Sequence, residues 1–209
     1  FPTRRSSDLS DEDKSYYLTL LKRYKEKYQC KIYAYILMSN HVHLFIDPDG
    51  YDISSFMHGL NSAYVSYFNR RYNRNGHLFQ GRFASKIVDS DTYSITLSAY
   101  MNNNAKDLPG YDGREETYRY SSYGIYTGMR RDVEGIADTE YILKLFSNDV
   151  KTAQHKYRIF TESMKEAGIL KEVDENIMRA YTENEYRSEK RQVIRVESPN
   201  ELIQKVEKI

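Results

Sequence analysis

The sequence predicts an α+β fold, an antiparallel sheet with helices packed on it, and three features carry that prediction. Two apolar runs, residues 31–37 and 41–47, are separated by little more than Ser39-Asn40, a turn-compatible pair, so they read as adjacent strands of a hairpin. Apolar residues recur at helical spacing before the hairpin, over 10–28, and after it, from Ile53 and again from about residue 91. A length of 209 residues is enough for one buried core with an appendage.

Each element has its own signals. Residues 1–9, FPTRRSSDL, resemble translated sequencing-adapter sequence and are set aside as a non-native leader. Ser10 is the expected N-cap of the first helix, with Asp11, Glu12 and Asp13 in its first turn and Tyr17, Leu18, Leu21 and Tyr24 on its buried stripe. Asp47-Pro48-Asp49-Gly50 is a strong turn that ends the second strand. Asp52 or Ser54 then opens a second helix, with Ile53, Phe56, Leu60, Tyr64 and Phe68 on one stripe. Residues 84–88 read as a short strand, and Asp89, Ser90 or Asp91 caps a third helix that runs to about Asn104. Residues 118–126 are expected to fold back on the core as an irregular segment, and helical patterns resume over 139–146 and 150–165. The expected division is a core domain over 10–126, a helical extension packing on it over 127–170, and a charged helical tail or linker over 171–209.

Composition narrows the function. The single Cys30 excludes an internal disulfide framework, and no stretch approaches the ~18 apolar residues of a membrane span. A cytoplasmic protein with no membrane partner is therefore expected. No glycine pattern of a nucleotide-binding loop occurs. The net charge of +1 is uninformative, but its distribution is not: between Ile53 and Val88 five basic residues and no acidic one give +5 and leave the remainder at −4. A local basic surface of that kind is what a nucleic-acid partner requires.

Chemistry concentrates in the hairpin. His41 and His43 leave the same face of a strand, about 6 to 7 Å apart along it, so both imidazoles can lean onto one ion. Two half-buried histidines on an amphipathic strand would give the same tripeptide. On the third helix Tyr93, Leu97, Tyr100, Met101 and Asn104 share a face that must look at the sheet. Tyr100 and Asn104 are one turn apart, so one can offer a phenol and the other an amide oxygen to the histidine face. With 21 tyrosines in the chain, a purely packed tyrosine is the competing account of Tyr100, Tyr93 is its competitor on the stripe, and a helix stop is the competing account of Asn104.

The run Met38-Ser39-Asn40-His41-Val42-His43-Leu44-Phe45-Ile46 resembles the histidine-apolar-histidine box of the tyrosine-type single-strand DNA transposases, in particular the REP-associated and insertion-sequence-type members. Ala99-Tyr100-Met101-Asn102-Asn103-Asn104 is similar to their tyrosine helix, in which an amide follows the nucleophile by four positions. Relatives carry apolar residues between the two and proline after the asparagine, where this chain has Asn102, Asn103 and Ala105. The likeness extends from about Ser10 to Phe160.

It implies a ferredoxin-like sheet order, with a first strand before residue 10 that is expected to be missing. It also implies Tyr100 as catalytic nucleophile and His41, His43 and Asn104 as ligands of Mg2+ or Mn2+. The implied activity cleaves and rejoins single-stranded DNA beside a hairpin through a 5′-phosphotyrosine. Arg70, Arg71 and Arg74 would meet phosphates, and His77, Phe79 and Phe83 would stack on unpaired bases. Phe79-Gln80-Gly81-Arg82-Phe83 matches a family segment and adds Gln80 and Arg82 to the DNA-binding set. The likeness leaves monomer and homodimer open. The alternative function is a catalytically inactive or domesticated hairpin-binding protein of the same family.

Overall fold

A computed structural model of the chain describes residues 9–39, 41–79, 83 and 85–166. The expected leader and tail lie outside the described residues, except Leu9, as do Asn40, Gln80, Arg82 and Ala84. The architecture is α+β: an antiparallel hairpin of β1 (Lys31–Leu37) and β2 (Val42–Asp47), with helices α1 (Asp11–Tyr28), α2 (Ile53–Arg71) and α3 (Asp91–Asn103). Three further helices follow, α4 (Tyr123–Tyr126), α5 (Glu140–Lys144) and α6 (Val150–Glu166). No helix among the described residues is long and apolar enough to cross a membrane.

Local chemistry fixes the helix ends. Ser10 accepts from the Asp13 backbone N–H while the Asp13 carboxylate accepts from the Ser10 N–H, a reciprocal cap that opens α1. That carboxylate is fully buried, and the hydroxyl of Tyr72 donates to it at 2.6 Å from just beyond α2. A buried charge needs such partners, so the cap also ties the start of α1 to the end of α2. Asp52 and Ser90 cap α2 and α3 by accepting from first-turn N–H groups.

In the hairpin, Ile36 faces His43 and Leu37 faces Val42, and the Met38 N–H donates to the His41 carbonyl at 2.9 Å to close the turn. His41 therefore stands one residue ahead of β2, which starts at Val42. The other edge of β1 is covered by residues 118–122: Leu37 N–H donates to Tyr120 O, and Ser122 N–H donates to Tyr35 O, both at 2.9 Å. Tyr35, Ile36 and Leu37 are completely buried as a result.

Two expected elements differ. Residues 85–88 form no strand, because β-propensity needs a sheet edge to ladder with, and among the described residues the sheet comprises β1 and β2 alone. Ile87 stays 36% exposed there. The segment expected to be irregular over 118–126 folds back as foreseen, bridging Ile36 through Ser121, but closes with helix α4.

Gly124 makes that return possible. A Cβ at this position would lie 2.6 Å from the Glu116 carbonyl oxygen, a backbone atom that cannot swing away. Gly124→Ala is therefore expected to destabilise the fold by about 1–3 kcal/mol, read as a lower denaturant midpoint with an unchanged slope. An unaltered midpoint would show that the return segment yields.

Candidate active site

The third helix is buried nearly all round: from Leu97 to Asn103 every residue is buried. It lies between the hairpin on one side and α5 and α6 on the other. One face meets the sheet, and there the Tyr100 ring sits 6.3 Å from that of His43, at 77°. The His43 ring in turn lies 4.7 Å from that of His41, at 86°. The structure thus brings His41, His43 and Tyr100 into one chain of edge-to-face ring contacts. His41 is exposed, His43 half-buried, and Tyr100 6% exposed, so the cluster runs from solvent inward.

Two adjacent imidazoles could share a cation if both turned a ring nitrogen to it. Asn104 follows Tyr100 by one turn, where α3 tightens into a 3-10 turn over Asn104–Asp107, and it is buried at 9% exposure. Among the described residues no hydrogen bond engages its side chain, which leaves both amide ends uncommitted. Two imidazoles and an amide oxygen could between them hold a divalent cation. Among the described residues no group of three or more His, Cys, Asp and Glu side chains gathers as an alternative centre.

Tyr93, the competitor, has a buried hydroxyl with no hydrogen-bond partner among the described residues. Burial pushes its phenol up from the usual range, and Asp89 adds to the shift, so both oppose forming a phenolate there.

The basic window forms a second grouping at the C-terminal end of α2. Arg70 is exposed and has no ion-pair partner among the described residues. Arg71 is turned onto α1, paired with Glu12 and with Asp13 at 3.5 Å. The Arg74 guanidinium lies over the Phe68 ring at 5.8 Å. His77 is exposed, Phe79 is 37% exposed with its ring 6.4 Å from Tyr64, and Phe83 is half-buried. Gln80 and Arg82 lie outside the described residues.

Sequence reading missed the other side of α3. Ser94, Ser98 and Asn102 recur at steps of four and look like a solvent stripe, yet all three are buried, with Ser98 and Asn102 at 0% exposure. Tyrosine hydroxyls cover them: Tyr141 reaches Ser94 at 3.5 Å and Tyr157 reaches Ser98 at 3.2 Å. The available signal was small polar residues at helical spacing in a chain rich in tyrosine, whose hydroxyl can satisfy them in a core.

Comparison with known proteins adds one finding. Residues 1–104 match the family model described as transposase, IS200 like. No curated protein and no solved structure matches the chain.

Proposed function

The chain belongs to the IS200-like transposase family, and from that premise we propose that it cleaves and rejoins single-stranded DNA next to a hairpin, with Tyr100 as nucleophile. The observation that carries the reading is the ring chain His41–His43–Tyr100, with successive centres 4.7 and 6.3 Å apart. It sets the Tyr100 ring against that of His43, which in turn meets the ring of the exposed His41.

In this reading the phenolate oxygen of Tyr100 bonds to phosphorus as the bond to the 3′ oxygen breaks. The proton given up by the phenol balances the one taken up by the leaving 3′ oxygen. The product is a 5′-phosphotyrosine, which keeps the phosphodiester energy, so a second 3′-hydroxyl can attack it, rejoin DNA and restore the phenol. His41, His43 and Asn104 would hold Mg2+ or Mn2+, which when bound supplies positive charge against the scissile phosphate. All three donors are uncharged as ligands, so they leave that charge undiminished. His43 has a second task, since its ring edge bounds the position of the Tyr100 ring.

Arg70 and Arg74 would anchor phosphates outside the chemical centre. Arg70→Ala combined with Arg74→Ala is expected to weaken hairpin binding and to lower the salt dependence of log K by about 1.4, from ~0.7 per lost phosphate contact to a single strand. At saturating DNA the cleavage rate should stay near wild type. A salt slope equal to wild type would remove both arginines from the interface.

The test of the function is direct. The protein is incubated with a labelled single-stranded hairpin library and Mn2+ and run under denaturing conditions; a protein-DNA adduct is expected. Hairpin binding with no adduct would select the alternative, a hairpin-binding protein without catalysis.

A further inference from the structure

We propose that Asn102, Ser122 and Tyr157 are positioning residues for Tyr100, a buried junction through which α6 and residues 118–122 fix α3 over the histidine-bearing hairpin. The proposal rests on the reading of Tyr100 as nucleophile.

Two residues along a helix amount to about 200° of rotation, so Asn102 leaves α3 on the side away from Tyr100. A chain of hydrogen bonds passes through it. The Tyr35 N–H of β1 donates to Ser122 Oγ at 3.1 Å, and Ser122 Oγ donates to Asn102 Oδ1 at 2.7 Å, the nearer of its two acceptors, the Tyr35 carbonyl being at 3.4 Å. Asn102 Nδ2 donates to Tyr157 Oη at 2.8 Å, Tyr157 Oη to Ser98 Oγ at 3.2 Å, and Ser98 Oγ to the Ile95 carbonyl at 2.8 Å. The chain starts in the strand beside Ile36, the residue facing His43, and ends inside the helix that carries Tyr100.

Position is what makes this a register device. Turning α3 by one residue would carry Asn102 away from Ser122 and Tyr157 and leave buried polar groups without partners. Tyr157 contacts two points on α3 a turn apart, Ser98 and Asn102, which opposes rotation. Its ring is itself held, stacked 4.5 Å from Tyr126 at 20°. Asn103 adds a third tie, donating to the Thr161 carbonyl at 3.2 Å. Apolar residues could fill the same space without a stability loss, since a satisfied buried network is worth little net. What the polar version adds is one permitted rotation and height for the helix, and therefore for the phenol. Ser122 and Tyr157 lie beyond residues 1–104 while Asn102 and Ser98 lie within them, so the junction ties the matched part of the chain to the part that the family match does not reach.

The test uses the full chain with 3-fluorotyrosine at position 100. Tyr157→Phe removes one hydroxyl and keeps the stacked ring, and Leu20→Ala in α1 is the control for general loss of stability. The wild type is expected to give one sharp fluorine resonance, and Tyr157→Phe a broadened or doubled one. In the unlabelled proteins, Tyr157→Phe should slow single-turnover adduct formation about tenfold or more, with hairpin affinity within about twofold. Leu20→Ala should leave resonance and rate as in the wild type. An unchanged resonance or an unchanged rate in Tyr157→Phe overturns the proposal, as does Leu20→Ala reproducing both changes. Should Tyr157→Phe fail to fold, Ser122→Ala breaks the same chain at its other end, under the same criteria. A wild type that forms no adduct would end the nucleophile reading on its own, while the resonance still decides whether the junction holds the helix.

Discussion

Tyr100→Phe is expected to bind a hairpin within about twofold of the wild-type affinity and to form no denaturant-stable adduct, a loss of cleavage rate on the order of 10³-fold or more. The substitution deletes the one atom that the proposed reaction bonds to phosphorus and keeps the ring that packs against His43. Because the ring and its burial survive, stability should change by no more than about 1 kcal/mol. Loss of the adduct would then be chemical. Tyr93→Phe is the matched control on the same helix. Its hydroxyl is buried without a partner among the described residues, so removing it should leave stability unchanged or slightly raised and the adduct intact. Adduct formation on a denaturing gel separates the cases. If Tyr93→Phe abolishes the band and Tyr100→Phe retains it, the nucleophile has been assigned to the wrong turn of α3.

How much of this could be read beforehand depended on whether the determining interactions were local. The hairpin, the caps at Ser10 and Asp52, and the stripe through Phe56, Leu60, Tyr64 and Phe68 are set within a few residues of sequence, and each stands in the structure where periodicity put it. The meeting of His43 with Tyr100 needed more, because it joins residues 57 positions apart; a stripe can say that a helix has a sheet-facing side, not which strand it will cover. Residues 85–88 failed as a strand for the converse reason. Their local propensity is adequate, but a ladder is a property of two segments.

The junction behind α3 was illegible because polarity on a helix ordinarily signals solvent. Ser98 and Asn102 are buried only because a tyrosine more than fifty residues later supplies a hydroxyl of matching height. Arg71 teaches the same lesson in charge. Counted along the chain it belongs to the acid-free window, yet in space it meets Glu12 and Asp13, whose positions in α1 cancel it. The basic surface is correspondingly smaller than the sequence count, and among the described residues Arg70 is exposed with no ion-pair partner.

His43→Ala is expected to reduce cleavage by roughly 10²- to 10³-fold while leaving hairpin affinity within about twofold, and to raise the Mn2+ concentration needed for half-maximal rate at least tenfold. Two functions converge on this imidazole. Its ring centre is 4.7 Å from that of His41, with which it would share the proposed ion, and 6.3 Å from that of Tyr100. Removing it should therefore weaken the cation site and loosen the phenol together. His41→Ala, at the exposed end of the cluster, should shift the Mn2+ requirement with a smaller loss of rate at saturating metal, because it is the His43 ring that stands 6.3 Å from that of Tyr100. The contrast is the diagnostic. Saturating Mn2+ should recover much of the rate in His41→Ala and little in His43→Ala, since added metal can refill a weakened site but cannot replace the ring that holds the phenol. Equal Mn2+ dependence in both variants and the wild type would exclude the imidazoles as ligands. A parallel loss of hairpin affinity would place His43 in the DNA interface instead.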